Sequence, residues 1–339
     1  AGVARKKVEI DIAMASAEAP QVLAEQLDVI RHAGGVPFAR VCGLARSVLG
    51  TVTREARCFS LVVLLGVPTT VFAFLLRTLS SIQASRRRHA LADVADQRRA
   101  LAAANILAAA TEPDSAKSGQ QQDVLQLSFL DLQKRLIDGK VTAETVLASY
   151  RAQAGRAHAK VNCLTEFLPE AIEVAQEMDA LHKAGKTAGG LHGIPISIKE
   201  TIYLKGHDCT AGLAKRCGLM LDADSEAVAL LKAAGAIPFC RTNTPQTNLS
   251  YGCSNPIYGT TLHPMDTART PGGSSGGEAA LMALGGSILG LGTDVGGSVR
   301  VPAAFCGICG FKPGGSRITR RGSFSVLAGQ SGGIAAFGP

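Results

Sequence analysis

Two glycine-rich segments place serines where backbone N–H groups could take part in chemistry. They are residues 271–278 (PGGSSGGE), ahead of a helical run, and residues 292–300 (GTDVGGSVR), after a strand-like apolar run. Glycines let the main chain approach a reacting carbonyl closely and direct successive N–H groups toward one point. Because Ser298 directly follows Gly296 and Gly297, it is the candidate nucleophile.

A serine hydroxyl is a poor nucleophile unless a base removes its proton, and Lys199 is the candidate base. It ends an alternating apolar segment, residues 193–199 (GIPISIK), whose isoleucines offer low-dielectric surroundings. A lysine has a usual pKa near 10.4, so removing its proton at pH 7 costs about 4.6 kcal/mol. Burial must therefore disfavour the charged form by about that amount if Lys199 is to be neutral. The alternative base is His207, which precedes Asp208, but this pair is better read as part of an ordinary polar loop.

The elements around these segments alternate between helix and strand. Ser128 is placed to cap a helix that ends at Gly139, and Thr142 is placed to cap the next. After the strand that ends in Lys199, residues 225–234 have helical spacing and residues 236–240 return to a strand. This order predicts an α/β fold with a mixed β-sheet core covered by helices.

The most apolar stretch is residues 58–76 (CFSLVVLLGVPTTVFAFLL), which contains 19 uncharged residues. As a helix it would reach about 28 Å, close to the thickness of a bilayer core. We therefore expect one transmembrane helix there, with a buried core helix as the alternative. Arginines at 86–88 and 98–99 follow it, which favours a cytoplasmic C-terminal side and contact with acidic lipid headgroups.

These observations predict four regions, and their boundaries are set by apolar, basic and polar composition. We expect a region of unknown role at 1–57, the transmembrane helix at 58–76, a basic juxtamembrane helix and linker at 77–123, and the globular domain at 124–339. The absence of an N-terminal Met and of a polar tail suggests that the sequence is part of a longer protein.

Composition narrows the function classes. The 339 residues carry a formal charge of +8 and are 46% hydrophobic, which excludes a wholly disordered chain. The arginines cluster beside the apolar segment without an aromatic platform, so we expect no nucleic-acid partner. Nine scattered cysteines favour a reducing compartment, and buried thiols explain the Cys306/Cys309 pair better than a metal site. The glycine-rich segments lack the P-loop lysine, and we expect neither a metal nor a cofactor.

Three segments, GIPISIKE, PGGSSGGE and GTDVGGSVR, resemble the amidase signature family. The resemblance puts Lys199, Ser274 and Ser298 on its catalytic lysine, cis-serine and nucleophile positions, at matching separations of 75 and 24 residues. Further motifs (CSNPIYG and FCGICGFKP) resemble its branch of membrane-bound animal enzymes that cleave fatty acid amides. The likeness begins near residue 124 and implies an amidase signature fold that continues past residue 339.

The resemblance also implies a mechanism. Neutral Lys199 would draw a proton through Ser274 while Ser298 attacks the amide carbonyl. The developing oxyanion would be held by the backbone N–H groups of Val295, Gly296, Gly297 and Ser298. Positions near the acyl channel of that branch are Asn248, Leu249 and Tyr251. From the residues themselves, we expect Ser275 to cap a helix entrance, and Asp294 and Arg300 to pair across the second loop.

The resulting prediction is a single-pass membrane serine hydrolase that cleaves fatty acid amides, with its catalytic domain on the cytoplasmic side of an endomembrane. Expected partners are a lipid amide substrate, the membrane and a second copy in a homodimer. Three alternatives stay open: an amidotransferase-type member of the family, an amidase for other small amides, and a non-catalytic, truncated, membrane-attached module. Family members of the amidotransferase type are soluble and need partner subunits, so the apolar segment speaks against the first.

Overall fold

A computed structural model gives the fold of most of the chain. It describes residues 69–111, 123–315, 317–325 and 333–338. The chain divides into two compact units, residues 1–84 and 85–339, and only residues 69–84 of the first are described.

A six-stranded mixed sheet forms the centre of the second unit. Its strands are β1 (Leu164–Phe167), β2 (Pro195–Lys199), β3 (Ile237–Thr242), β6 (Gly290–Asp294), β7 (Cys309–Phe311) and β8 (Gly333–Gly338). Their order is β1-β3-β2-β6-β8-β7, in which β2 runs parallel to β3 and β6, and the remaining neighbours are antiparallel. A separate two-stranded ribbon joins β4 (Ser254–Asn255) to β5 (Gly259–Thr260). The predicted α/β class with a mixed sheet is confirmed.

Helices cover the sheet and connect its strands. They are α1 (Thr69–Thr111), α2 (Phe129–Ile137), α3 (Ala143–Val161), α4 (Ala171–Lys183), α5 (Glu226–Ala233), α6 (Gly276–Ala283) and α7 (Arg300–Cys306). Ser128, Thr142 and Ser225 each accept a hydrogen bond from the backbone N–H three residues later, which fixes the starts of α2, α3 and α5. The caps at Ser128 and Thr142 are ones that the sequence predicts, whereas for residues 225–234 it predicts a helix without a cap.

The main apolar core lies between helices and the β1-β3-β2 side of the sheet. Leu132 and Val146 from the helices pack with Ile196 and Phe239 from the strands, and all four are fully buried. A smaller cluster includes Ile198, so buried apolar groups surround β2 along its length. This burial sets the environment of Lys199 at the end of β2.

Part of α1 packs directly against the sheet domain. Ile106 belongs to the main core, and the Asn105 side chain bonds both backbone groups of Phe167, donating to its C=O at 3.2 Å and accepting from its N–H at 2.7 Å. These bonds satisfy backbone groups of β1, the edge strand of the sheet. The sequence places this part of the chain in a juxtamembrane helix and linker, whereas the structure uses it to cover an edge.

Two arginines of the basic segment that follows the apolar stretch bind protein groups. Arg98 lies 3.3 Å from carboxylate oxygens of both Glu166 and Asp208. The guanidinium of Arg99 donates to the backbone C=O of Ile257 at 2.8 Å. Sequence alone does not show these contacts, because the fold brings the carboxylates and carbonyls to the two arginines. Contact of the basic segment with lipid stays a prediction.

The predicted transmembrane segment lies mostly outside the described residues. Residues 58–68 are not described, and the rest of the segment begins α1. Within the described part of the chain, none of the helices combines the length and apolar character needed to cross a bilayer.

Candidate active site

Lys199 sits at the end of a central strand with its amine inside the protein. It is fully buried, and its Nζ donates to Ser274 Oγ at 2.6 Å and to Thr293 Oγ1 at 2.9 Å. Burial lowers the pKa of Lys199 to about 7, although Cys253 and Asp294 favour the charged form. The lysine can therefore gain or lose a proton near neutral pH.

Ser274 lies in the glycine-rich loop that leads into α6. Its hydroxyl faces Lys199, and its backbone C=O accepts from Thr244 Oγ1 at 3.0 Å. The Gly273–Ser274 peptide bond is cis. A side chain at Gly273 would place its Cβ 2.7 Å from the Ser250 carbonyl oxygen, so the packing of this loop requires glycine.

Ser298 lies between β6 and α7, and its side chain is half-buried. The Ser275 N–H donates to the Ser298 carbonyl oxygen at 3.0 Å, which ties the two glycine-rich loops together. The Ser298 hydroxyl has no hydrogen-bond partner among the described residues, so it is free to meet a ligand. Ser275 stands at the predicted cap position of α6, but its hydroxyl makes no capping bond; it points to the Thr293 carbonyl oxygen at 3.5 Å.

Asp294 holds the loop that carries Ser298. Its carboxylate accepts from the N–H groups of Gly297 at 2.8 Å and Val299 at 3.0 Å, and pairs with the Arg300 guanidinium at 2.9 Å. Burial alone would raise the pKa of Asp294, but these hydrogen bonds lower it to about 2. The predicted Asp294–Arg300 pair is confirmed, and the carboxylate stays charged at neutral pH.

The predicted oxyanion donors are not all available. The Gly297 N–H is engaged by Asp294, whereas the N–H groups of Val295, Gly296 and Ser298 have no partner within the described residues. Tyr251 donates its hydroxyl to the Gly296 carbonyl oxygen at 2.7 Å, which fixes the neighbouring peptide group. Three N–H groups of this loop can therefore donate to a bound group.

The other predicted substrate-binding positions lie near the first loop. The Asn248 side chain accepts from the Thr244 hydroxyl, which in turn bonds the backbone of Ser274. Leu249 is 61% exposed and Tyr251 is 56% exposed, so both offer apolar surface to a ligand. Substrate contact by these three positions stays a prediction.

Thr293 is a site residue that sequence analysis missed. It is the second partner of the Lys199 amine and belongs to β6, the strand beside β2. Its position inside the GTDVGGSVR motif was the available signal, because neighbouring parallel strands end at the same edge of the sheet.

His207 serves a different part of the molecule. Its Nε2 lies 2.9 Å from Glu170, and its Nδ1 lies 3.6 Å from Glu166. Burial alone would lower the pKa of His207, but the two carboxylates raise it to about 9. The ring is engaged by acidic groups, which agrees with a structural loop.

Within the described ranges, no group of three or more His, Cys, Asp or Glu could hold a metal ion.

The match to the family model named Amidase, which spans residues 145–339, covers the lysine and both serine loops. The chain belongs to the amidase family. Its relatives in this family include the vitamin D3 hydroxylase-associated protein of Gallus gallus, 46% identical over 65% of this chain and 47% of that protein. Fatty-acid amide hydrolase 1 of Sus scrofa is 44% identical over 61% of this chain and 34% of its own length.

Solved amidase-family structures show the same fold. A fatty acid amide hydrolase structure matches with a TM-score of 0.63 and 32% identity, covering 66% of this chain and 40% of that chain. Other amidases are also similar, among them Amidase 1 of Gibberella moniliformis, 46% identical over 56% of this chain and 36% of its own length. The chain spans about half, or less, of the length of these relatives.

Proposed function

We propose that this protein hydrolyses carbon–nitrogen amide bonds, with Ser298 as nucleophile and Lys199 as base. The observation that carries the proposal is the fully buried Lys199 amine, 2.6 Å from the Ser274 hydroxyl. A backbone bond from Ser275 to Ser298 ties that loop to the one bearing the nucleophile. A base, a hydroxyl able to relay a proton and an unengaged serine are what acyl transfer requires.

The proposed first step forms an acyl-enzyme. Neutral Lys199 accepts a proton from Ser274, and Ser274 accepts the Ser298 proton as the Ser298 oxygen bonds to the amide carbon. A hydroxyl can donate and accept at once, so Ser274 relays the proton without changing charge. The C–N bond then breaks, and the relayed proton leaves on the amine. Water attacks the ester carbon in the second step, and its proton returns Ser298 to the free hydroxyl.

The loop after β6 is suited to stabilise the oxyanion of both steps. Among the described residues, nothing engages the N–H groups of Val295, Gly296 and Ser298, and Asp294 and Tyr251 fix the loop from two sides. Donors that are held in place before the reaction need no reorganisation when charge develops. We assign the oxyanion to these three N–H groups and leave Gly297, which bonds Asp294, outside the set.

Fatty acid amides are the substrate class that we propose. Val295 of the nucleophile loop and Tyr251, which bonds that loop, expose apolar surface where an acyl chain could bury its methylenes, and Leu249 is exposed two residues before Tyr251. A relative and a solved structure named fatty acid amide hydrolase support the same class. We further propose that residues 58–76 attach the protein to a membrane, since a lipid amide resides there.

The test is kcat/KM for amides of increasing acyl length, measured on the full-length protein. We expect long-chain fatty acid amides to exceed short-chain amides by at least tenfold, because each buried methylene adds about 0.8 kcal/mol. Turnover of short amides alone would contradict the substrate class, and no turnover of any amide would contradict the reaction. Ser298→Ala should abolish turnover of every amide that the wild type accepts.

The role of Lys199 is tested by pH dependence. Lys199→Ala should lower kcat/KM more at neutral than at alkaline pH, because hydroxide or an ionised serine can partly replace a missing base. Ser274→Ala should act in the same direction but less severely, since a water could take its place. An unchanged kcat with only a raised KM in Lys199→Ala would remove the lysine from the mechanism.

A further inference from the structure

Glu278 is a buried carboxylate that the proposed mechanism does not use. It lies on α6, four residues after Ser274, and is completely inaccessible to solvent. Its Oε2 accepts from the Ser197 hydroxyl at 2.6 Å, and its Oε1 accepts from the Thr242 hydroxyl at 2.7 Å. Burying an ionisable group is costly unless hydrogen bonds or an opposite charge compensate for it, so this carboxylate requires an explanation.

The two hydroxyls place Glu278 beside the general base. Ser197 stands two residues before Lys199 on β2, hence on the same face of the strand, and Thr242 is the β3 residue paired with Lys199. A third strand also approaches closely, because a Cβ at Gly290 of β6 would lie 2.4 Å from Glu278 Oε2. Glu278 thus links helix α6, which follows Ser274, by hydrogen bonds to strands β2 and β3 beside Lys199.

Glu278 differs from the other carboxylates around Lys199 by its lack of an arginine. Asp294 on β6 pairs with Arg300, and Glu200, which follows β2, lies 3.9 Å from Arg241. No Lys, Arg or His nitrogen in the described ranges lies within salt-bridge distance of Glu278, and the cation that acts on it is Lys199. Among the described residues, the thiols of Cys163, Cys240 and Cys253 also interact with this pair.

The protonation of the two groups is therefore linked. Burial raises the pKa of Glu278 to about 7, while the Ser197 and Thr242 hydroxyls and the charge of Lys199 oppose that rise. Burial likewise lowers the pKa of Lys199 to about 7, and the negative charge of Glu278 opposes that fall. Each charge favours the other, so removal of one changes the titration of its partner.

We propose that Glu278 is a positioning residue for the Lys199 base: it holds the Ser274 loop against Lys199 and, by its negative charge, keeps the proton on Lys199 to higher pH. This inference rests on the proposed role of Lys199. On this proposal, Glu278 of the PGGSSGGE segment helps to set the pH at which the enzyme becomes active.

Glu278→Gln tests the electrostatic part, since it removes the charge but keeps the size of the side chain and one accepting oxygen, and its NH2 group can donate to the second hydroxyl. We expect the acidic side of the profile of kcat/KM against pH to move to lower pH by about one unit. At a given pH on that side, kcat/KM expressed as a fraction of its plateau value then rises about tenfold. KM should stay unchanged. Met282→Ala is the matched control on the same buried face of α6, because it perturbs packing without altering charge. If the role of Glu278 were purely structural, the acidic side of the kcat/KM profile would lie at the wild-type pH in both variants. That result would overturn the proposal.

A direct titration makes the result independent of turnover. Lysine 13C NMR of the full chain, with the Lys199 signal identified by its absence in Lys199→Met, should show its midpoint at lower pH in Glu278→Gln. If Glu278→Gln does not fold, Ser197→Ala replaces it: loss of one hydrogen bond neutralises Glu278 over a wider pH range, and a smaller shift in the same direction is expected. A shifted titration in a protein that cleaves no amide would contradict the proposed function alone. An unchanged titration in an active enzyme would contradict this inference alone.

Discussion

Replacement of the buried base by an apolar side chain should stabilise the protein while strongly lowering its activity at neutral pH. In Lys199→Met the variant side chain has a similar length but carries no amine, so the protein no longer has to bury an ionisable group. Lys199 is inaccessible to solvent, and its pKa falls from the usual 10.5 to about 7 in the folded state. Such a shift is itself a free energy of folding.

The magnitude follows from linkage. Between pH 7 and 10.5 the unfolded chain keeps the proton that the folded protein has lost, so wild-type stability rises with pH by about 1.4 kcal/mol per pH unit. Compared with a residue that does not titrate, Lys199 therefore lowers the free energy of unfolding by about 5 kcal/mol below pH 7. This loss of stability decreases as pH rises and vanishes above pH 10.5. Met leaves the hydroxyls of Ser274 and Thr293 without their amine partner, at a cost of about 1 kcal/mol each. The net gain at pH 7 is therefore about 3 kcal/mol.

Urea denaturation of wild type and variant at several pH values between 6.5 and 10 measures this difference. We expect the variant to be more stable at pH 7 and its advantage to shrink steadily as pH rises. Lys160→Met is the matched control, because Lys160 is an exposed lysine on α3 and should show no such trend. A stability difference that does not change with pH would refute the argument that Lys199 is buried at the expense of its charge.

Three further predictions concern other parts of the chain. Asn105→Ala should lower the free energy of unfolding by about 2 kcal/mol in urea titrations, because it removes both bonds to the Phe167 backbone; an unchanged midpoint would mean that α1 does not protect the edge strand. Asp294→Ala should reduce kcat about 100-fold with little loss of secondary structure by circular dichroism, because the Ser298 loop loses its anchor; full activity would show that the loop holds itself. Deletion of residues 58–76 should release the protein from membranes in carbonate extraction, and equal retention of both forms would show that another surface binds lipid.

Short sequence patterns predicted individual helices and strands, but they could not predict which distant segments pair in the sheet. The caps at Ser128 and Thr142 are set by short-range hydrogen bonds, so the starts of these two helices follow from sequence. The position of β8 between β6 and β7 depends on contacts across the fold, and no short motif encodes it. Helix α6 begins at Gly276, inside the segment that glycine content marks as a loop, because packing overrides propensity there.

The candidate site divides in the same way. Residue type and position singled out Lys199 and Ser298, because a poor nucleophile needs a base, and the resemblance to the amidase signature family added Ser274. Thr293 and Glu278 escaped notice as contributors, since their importance comes from the strand order that brings them to Lys199. Glycine content alone could not show that the Gly297 N–H is already used by a carboxylate three residues before it.

Covalent labelling of the nucleophile is the most direct test of the account. The full-length protein is treated with a serine-directed fluorophosphonate, and the modified peptide is identified by mass mapping. We predict a single label on Ser298, formed more slowly in Lys199→Ala and absent in Ser298→Ala. A label on Ser274 or another serine, or undiminished labelling of Ser298→Ala, would contradict the assignment of Ser298 as the nucleophile.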